Sequence, residues 1–440
     1  MHGAIVSSIL ITGALSALVA GVLADQHGRV AIISCGAATY GLGAAIECGA
    51  VHLAMFIVGR AIKGIGMGLF VSSVTVQISE ISPAAERGLW VNSSQLLLTV
   101  GLVMGYFICY GTGRIAGSSA SWRVPIAIQS LLGFGFAAAT LFVPPSPRWL
   151  ISKGNVDEAR IVILQLGISP EEQQEMLAQQ AEVSIHPPGT TFRENLKDLL
   201  KGFRKALSTP YRSRTAFGCF LMTFQQFSGI DGVLYYAPLL FRQAGLASEQ
   251  ASFLASGVTA IVLMVVTIPG TIFADSWGRR TSTLVGGAGI AFLMFLMGGL
   301  YAADRVHPDT GAGRWVVIVS IYLFAFIFNG TWAIGFRASL VESLPRETRS
   351  SGAALAQCGN WAANYLVALT TPPFLEATAS GPYFFFGGCC VVCSVCSWLW
   401  MPETRSKSLE AIEAEYFESR KASDKRQGPQ MRELLERSGS

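Results

Sequence analysis

Charged residues are scarce in this 440-residue sequence, and their scarcity excludes an ordinary water-soluble fold. Only 14% of the residues are charged, whereas about 25% is usual for soluble domains. Apolar runs long enough to cross a bilayer as helices, about 20 residues each, recur instead. We count eleven, near residues 3–24, 31–50, 53–79, 89–112, 123–143, 214–240, 252–274, 281–301, 315–341, 353–373 and 381–401. A chain of this size could not bury them all without alternating polar faces, so the sequence predicts an all-α protein that crosses a membrane many times.

The residues that enzymes and ATP-driven pumps need are also few. No metal-ligand or nucleophile–base arrangement is present, and no Gly-rich phosphate loop of the P-loop kind. The five histidines lie outside the centres of the apolar runs, at His2, His27, His52, His186 and His307. The sequence therefore predicts no enzymatic activity, no cofactor and no metal.

Cysteine offers no disulfide framework, because the nine cysteines lie almost entirely inside apolar runs. The string CCVVCSVC contains four of them, Cys389, Cys390, Cys393 and Cys396. No histidine or carboxylate accompanies this string, so close contacts between helices are favoured over a metal site.

Basic residues indicate the orientation in the membrane. Of the 32 Lys and Arg residues, 24 lie in the loops that begin near 25, 80, 147, 275, 342 and 402, and only five lie in the opposite loops. The remaining three, Arg60, Lys63 and Arg337, lie inside apolar runs. The positive-inside rule then predicts a cytoplasmic C-terminus and central linker. The net charge of +4 reflects this topology, and no nucleic acid is predicted as a partner.

An internal repeat divides the chain. ADQHGRV at 24–30 returns as ADSWGRR at 274–280, EISPAAERG at 80–88 as ESLPRETRSSG at 342–352, and PPSPR at 144–148 as PETR at 402–405. The same order at nearly the same offset predicts two pseudo-symmetric helical bundles, with a substrate site between them near the membrane midplane. The predicted divisions are a bundle at 1–146, a cytoplasmic helical linker at 147–213, a bundle at 214–401 and a cytoplasmic tail at 402–440. Two linker segments, 171–183 and 192–207, are helix-prone.

The repeated Asp-x-x-Gly-Arg loop has two interpretations. Gly28 and Gly278 allow a tight turn, and the preceding Asp25 and Asp275 lie where a carboxylate can cap backbone N–H groups. The arginines that follow anchor the topology, or they form a charge latch with nearby acids that biases which side is open. The predicted charge network comprises Asp25, Arg29, Glu80, Arg87, Arg148, Asp275, Arg279, Arg280, Glu342 and Arg349.

Several strings together resemble the sugar porter family of the major facilitator superfamily over essentially the whole chain. They are GRAIKGIGMGL (59–69), PAAERG (83–88), WRVP (122–125), SPRWL (146–150), QQFSGIDGVLYY (225–236), ADSWGRR, NWAANYLV (360–367) and PETRSKSLE (402–410). The resemblance implies a monomeric carrier of a sugar, polyol or sugar acid in the plasma membrane, working by alternating access with a proton as partner. The alternatives are a non-transporting sugar sensor of the same fold and an inactive truncated carrier.

The resemblance also implies the binding residues. Gln225 and Gln226 match the paired glutamines that bind sugar hydroxyls. The other matched positions are Gln95, Phe328, Asn329, Asn360, Trp361 and Asn364. A polyhydroxylated substrate needs amide donors and acceptors together with an aromatic face. Buried amides can instead join helices, and for an isolated Asn that interpretation is favoured.

Several positions depart from the family. Asp231 replaces the usual Asn, and we expect it to contact substrate or carry a proton, since a carboxylate at membrane depth is costly. Arg337 replaces the tryptophan that stacks on sugar; it pairs with Asp231, meets an anionic substrate, extends its charge to the membrane interface, or bonds to backbone carbonyls. Pro145, Gln26 and Val30 weaken the charge latch expected in the first half.

The first half also lacks one apolar run. The second half has 61 residues from Arg214 to Asp275, whereas only 24 residues precede Asp25. Eleven runs therefore suggest a twelve-helix family without its first helix, as an incomplete chain or a true eleven-helix variant; the incomplete chain is favoured. Arg60, a proton-coupling candidate together with Asp231, is expected to pair with an acid on that first helix, and Glu47 is expected to lie too near a helix end to serve.

Overall fold

The structure is a computed structural model, and it describes residues 2–82, 87–115, 117–168, 173, 192–209, 211–246, 248–307 and 311–403. Within these ranges the chain forms fifteen α-helices, one 3-10 turn at Arg346–Thr348 and no strand. The all-α fold predicted from the apolar runs is confirmed.

The helices fall into three groups along the chain. The first half contains α1 (His2–His27), α2 (Arg29–Cys48), α3 (Leu53–Ile81), α4 (Arg87–Thr112) and α5 (Ala120–Thr140). Three short helices follow, α6 (Pro147–Ser152), α7 (Val156–Gln165) and α8 (Phe192–Ala206). The second half contains α9 (Arg212–Gln226), α10 (Ile230–Gln243), α11 (Glu249–Trp277), α12 (Arg279–Ala302), α13 (Gly313–Ser343), α14 (Arg349–Ala377) and α15 (Gly381–Trp400). Of the two helix-prone linker segments, 192–207 forms α8 and 171–183 lies almost wholly outside the described residues.

The helix contacts show the pseudo-symmetry that the repeat predicts. In the first half α3 packs on α1 and α2, and α2 packs on α5. In the second half α13 packs on α11 and α12, and α12 packs on α15, which is the same pattern ten helices later. The two halves meet through α1 with α14 and through α4 with α11. Each of these pairs is the symmetry partner of the other, so the interface between the bundles obeys the repeat as well.

Nine helices of the described chain are long and apolar enough to cross a membrane, compared with the eleven predicted runs. The other two runs correspond to α9 with α10, which are separated at Gly229, and to α14. The two departures have different causes: α9 and α10, with 15 and 14 residues, are each too short to span because Gly229 separates them, whereas polar residues lower the hydropathy of α14. The two runs that fall short as spans carry most of the predicted binding residues.

Glycines hold α2 and α3 at very short separation. A Cβ atom at Gly66 would overlap the backbone nitrogen of Tyr40, and one at Gly43 would overlap that of Lys63. Helices in a membrane gain little from hydrophobic burial against each other, so close backbone approach is a main source of their attraction. This close contact aligns Glu47 on α2 with the middle of α3.

The two copies of the loop motif adopt the same backbone conformation. Gly28 has φ 91° and Gly278 has φ 75°, in the region that side chains disfavour. The end of each half closes on its own loop, since the Trp149 indole nitrogen donates to the Asp25 carbonyl at 3.0 Å and the Glu403 carboxylate accepts from the Arg279 backbone N–H at 3.0 Å. The landmarks of the repeat therefore meet within each half.

The predicted capping role of Asp25 is wrong. The residue lies in the last turn of α1, and its carboxylate binds Arg29 at 2.8 Å, while the start of α2 carries no side-chain cap. The Asp275 side chain lies outside the described residues.

Candidate functional site

The site begins where the chain breaks between α9 and α10. Gly229 has the left-handed conformation, with φ 86°, and it ends the helical path just after Gln225 and Gln226. The Ser228 hydroxyl donates to the Gln225 carbonyl at 2.6 Å, which holds the turn in place. The two glutamines therefore occupy the last turn of α9, facing α14.

Four buried amides from α9 and α14 form what we call the amide cluster: Gln225, Gln226, Asn360 and Asn364. Asn360 is its centre, because its Oδ1 accepts from Gln226 Nε2 at 3.2 Å and its Nδ2 donates to Gln225 Oε1 at 3.3 Å and to the Met222 carbonyl at 2.9 Å. Gln225 Nε2 donates to the Trp332 carbonyl at 3.1 Å, which ties the cluster to α13.

Two buried oxygens of the amide cluster accept no hydrogen bond from the described residues. They are Oε1 of Gln226 and Oδ1 of Asn364. A buried acceptor without a donor costs free energy, on the order of 1–3 kcal/mol. Hydroxyl groups of a bound molecule would satisfy both atoms, so the cluster is equipped to receive hydrogen bonds from a polar ligand.

Asp231 adds a carboxylate to the cluster, and Arg337 links the site to the other bundle. Asp231 Oδ2 accepts from Asn364 Nδ2 at 2.6 Å. The Arg337 side chain is solvent-accessible, lies within electrostatic range of Asp231, and donates from Nη1 to Gln95 Oε1 at 3.2 Å. Gln95 belongs to α4, so this hydrogen bond joins the two halves beside the amide cluster.

Three predicted binding residues lie outside the hydrogen-bonded group. Phe328 is packed in the core of the second half, and Asn329 Nδ2 donates to the Leu263 carbonyl and to Thr267 Oγ1, both at 2.6 Å. These are contacts that join α13 to α11. Trp361, half-buried on α14, lies near Gly13 of α1. Trp332 is fully buried and donates to the Thr283 carbonyl at 2.9 Å.

The predicted proximity of the loop arginines to acids is confirmed in both halves. Arg29 lies 3.2 Å from Glu80, and Arg279 lies 3.0 Å from Glu342. Arg280 donates to the Trp398 carbonyl, and Arg349 donates to the Leu344 carbonyl at 3.2 Å. Arg148 is exposed, and the side chains of Arg87 and Asp275 lie outside the described residues. The gating role of these groups stays a prediction.

The expectation that Arg60 has no acid within the first half is wrong. Glu47, only 2% exposed, lies 3.7 Å from Arg60 and forms a shorter ion pair with Lys63. Glu47 reaches both residues because the glycines of α2 and α3 bring the two backbones together. Lys63 was not predicted from the sequence as a partner of Glu47. The presence of an acid and a base inside neighbouring apolar runs could have indicated the pair.

Comparison with known proteins identifies the family. Residues 1–416 match the model of the family described as "Sugar (and other) transporter". The chain belongs to this family.

Individual relatives are distant but cover most of the chain. It is 29% identical over 434 residues to a high-affinity glucose transporter of Kluyveromyces lactis, covering 94% of this chain and 77% of that protein. It is 28% identical over 410 residues to a probable polyol transporter of Arabidopsis thaliana, covering 93% and 76%. Both alignments leave about a quarter of the relative's length unmatched.

Solved structures share the fold. A structure of the proton:xylose symporter XylE bound to 6-bromo-6-deoxy-D-glucose superposes with a TM-score of 0.76 at 24% identity, covering 94% of this chain and 89% of that one. An inward-open structure of XylE from E. coli gives 0.75 at 23% identity. The protein is thus a multi-pass membrane transporter with the major facilitator fold.

Proposed function

We propose that this protein carries a monosaccharide, or a related polyol or sugar acid, across a membrane by alternating access and in symport with protons. The observation that carries the proposal is the amide cluster, with its two unpartnered buried oxygens beside a hydrogen bond that joins the bundles. The relatives named as glucose and polyol transporters support the same substrate class.

The chemistry of the cluster suits a molecule with many hydroxyl groups. A hydroxyl donates one hydrogen bond and accepts others, and a neutral amide offers the complementary set. Gln226 and Asn364 supply the acceptors, and Trp361 supplies an aromatic face for the C–H surface of a sugar ring. The amides themselves carry no net charge, which keeps the cluster compatible with an uncharged substrate.

Arg337 extends the substrate range toward sugar acids. Its guanidinium is solvent-accessible and donates a hydrogen bond to Gln95, instead of forming a close buried ion pair. A carboxylate on the substrate would displace Gln95 and accept from two of the three guanidinium nitrogens. A neutral sugar would leave the Arg337–Gln95 bond in place.

Each half contributes one half of the proposed charge latch, Arg29 with Glu80 and Arg279 with Glu342. Both ion pairs lie at the ends of helices on the side that the positive-inside rule makes cytoplasmic. We propose that they stabilise the state closed to the cytoplasm. In this proposal the protein is a monomeric carrier of the plasma membrane with bundles at 1–146 and 214–401, and its linker 147–213 and tail 402–440 are cytoplasmic.

Uptake of radiolabelled substrates into cells without their own sugar carriers tests the proposal. A panel of glucose, xylose, sorbitol and gluconate, each with and without a protonophore, distinguishes substrate class and proton coupling. We expect saturable uptake of at least one compound and its loss with the protonophore. Absence of uptake across the panel would refute the carrier function. The same assay on an upstream-extended chain tests the predicted additional helix.

Asp231→Asn tests the role of the carboxylate. The variant keeps a hydrogen-bonding partner for Asn364 but removes the charge that balances Arg337. We expect slower uptake with a changed pH profile. Asp304→Asn is the matched control, because Asp304 is exposed in a turn with φ 51°, a conformation that Asn tolerates. Unchanged uptake and an unchanged pH profile in Asp231→Asn would exclude Asp231 from both substrate binding and proton transfer.

A further inference from the structure

A second group of ionisable side chains lies inside the first bundle, away from the amide cluster. Glu47 of α2 is 2% exposed and Lys63 of α3 is 4% exposed. Lys63 Nζ donates to the Glu47 carboxylate and to Gln129 Oε1 of α5, the latter at 3.2 Å. Arg60 Nε lies 3.7 Å from the same carboxylate. We call Glu47, Arg60 and Lys63 the buried triad.

The buried triad has a net charge of +1 when all three side chains are ionised. One carboxylate faces two cations, and the remaining groups around it are neutral or point away. Tyr40 lies beneath Lys63 Nζ at 5.8 Å, and Arg123 of α5 donates to the Ala50 carbonyl at 3.1 Å. The remaining acids nearby are Asp25 of α1 and Glu80 at the far end of α3, and both bind Arg29. Glu80 is 17 positions from Lys63, about 25 Å along the helix.

Lys63 is the group that can remove this excess charge. A guanidinium stays protonated in proteins, so Arg60 cannot release a proton. Glu47 lies between the two cations and is the acceptor that they share. Transfer of one proton from Lys63 Nζ to water leaves a neutral amine and an uncharged triad, and its return restores the ammonium. A buried lysine ammonium, unlike a guanidinium, can release its proton.

The buried triad is also positioned to respond to the second bundle. Arg60 lies within electrostatic range of Tyr235 and Tyr236 on α10, the helix that begins at Gly229 and carries Asp231. Tyr106 of α4 donates to the Leu234 carbonyl of α10, which places this helix against the first bundle. A movement of α10 therefore changes the electrostatic environment of Arg60. It also changes the free energy required to keep Lys63 protonated beside Arg60.

We propose that Lys63 is a proton-exchanging residue of the transport cycle, gaining and losing its proton as α10 moves against the first bundle. The inference rests on the proposed proton-coupled transport and adds to it the site at which the proton is held. Intramembrane ionisable residues with named partners are frequent proton relays in transporters. In the predicted orientation, Lys63 lies about 15 Å along α3 from its non-cytoplasmic end at Leu53. This distance is half of a hydrocarbon core of about 30 Å, so Lys63 lies near the membrane midplane.

Lys63→Met and Lys63→Gln test the proposal in proteoliposomes. Both variants leave Glu47 with Arg60 as a neutral pair, and the Gln side chain keeps hydrogen-bonding groups at the position. Two measurements are compared: counterflow exchange of labelled substrate at equal pH, which needs a folded carrier but no net proton movement, and accumulation driven by a pH step. A step of about two units can support about 100-fold accumulation of a neutral sugar by one proton, since each unit is a tenfold ratio.

We expect both variants to retain counterflow and to lose accumulation, with Lys153→Met, an exposed lysine in the linker, behaving as the parent protein. Accumulation retained by either Lys63 variant would overturn the proposal, and so would loss of counterflow in both, which would make Lys63 a structural residue. A parent protein that exchanges substrate without accumulating it would also overturn the proposal while leaving the carrier function intact. A parent protein with no substrate movement would refute the carrier function itself, and this inference with it.

Discussion

At the scale of single residues, the site depends on which amide atoms are already occupied. Gln225 uses both ends of its amide, on Asn360 and on the Trp332 carbonyl, so it organises the site. Gln226 uses its nitrogen on Asn360 and leaves Oε1 without a donor. The two glutamines, although neighbours in sequence, therefore differ: Gln225 joins the helices, and Gln226 keeps a free acceptor that the proposed ligand would use.

Gln226→Ala is predicted to raise the KM for uptake about tenfold, because one hydrogen bond to a substrate hydroxyl is lost and such a loss is about 1.4 kcal/mol. Initial uptake rates over a range of substrate concentrations measure the change. Gln243→Ala is the control, since Gln243 also has an unpartnered Oε1 but lies at the far end of α10. An equal KM in the two variants would argue against Gln226 as a substrate contact.

At the scale of helices, the close packing of α2 on α3 is predicted to be sensitive to a single methyl group. Gly66→Ala forces a Cβ against the backbone of α2, and overpacking of this kind costs roughly 1–3 kcal/mol. Gly135→Ala is the matched control, because its Cβ would meet nothing within 4 Å and the loss of backbone freedom in the unfolded chain favours Ala. Thermal unfolding midpoints in detergent should fall for the first variant and hold or rise for the second.

The linker helix α8 contacts the second bundle through an ion pair with the exposed carboxylate of Glu347, and this ion pair depends on pH. Glu347 accepts from Lys205 at 2.7 Å and from the Tyr211 hydroxyl at 2.8 Å. The hydrogen bond from Lys205 is the main cause that lowers the pKa of Glu347 below its ordinary value of 4.5. Because the folded pKa is lowered, the attachment is fully present above pH 4.5 and is lost as the pH falls through the folded pKa.

We therefore expect limited proteolysis near α8 to be slow at pH 7 and faster at pH 3.5 with an acid-active protease, relative to cleavage elsewhere in the chain. In Glu347→Gln, which removes the charge and keeps the side-chain shape, cleavage at pH 7 should approach the rate of the acid sample. A Glu347→Gln protein with the parent's cleavage rate at pH 7 would show that this contact does not hold α8.

The sequence predicts where the helices lie better than it predicts which residues of different helices are in contact. Long apolar runs give the segments, and the repeated Asp-x-x-Gly-Arg loop gives the two halves and the partners Glu80 and Glu342. It failed for Glu47, because a membrane helix that is apolar on every side has no periodicity from which its buried face can be read. Only the close approach of two glycine-rich backbones brings Glu47 to Lys63 and Arg60.

At the scale of the whole molecule, the described residues include a side-chain hydrogen bond between the bundles that a double-mutant cycle can test. The Arg337–Gln95 bond joins α13 to α4 next to Asp231. For Arg337→Met, Gln95→Ala and the double variant, we expect non-additive effects on uptake of a neutral sugar, with a coupling energy of about 1 kcal/mol. Strictly additive effects would mean that the two side chains do not meet in the working carrier.

The break at Gly229 allows the first part of α10, up to the kink at Tyr236, to move as a lever. The segment from Gly229 to the kink at Tyr236 is about 10 Å long, so a swing of about 15° around Gly229 displaces the kink by about 3 Å. Asp231 lies two residues from the pivot, so the same swing moves it by less than about 1 Å. A movement of the Tyr236 end of this segment would therefore leave the position of Asp231, close to the pivot, almost unchanged.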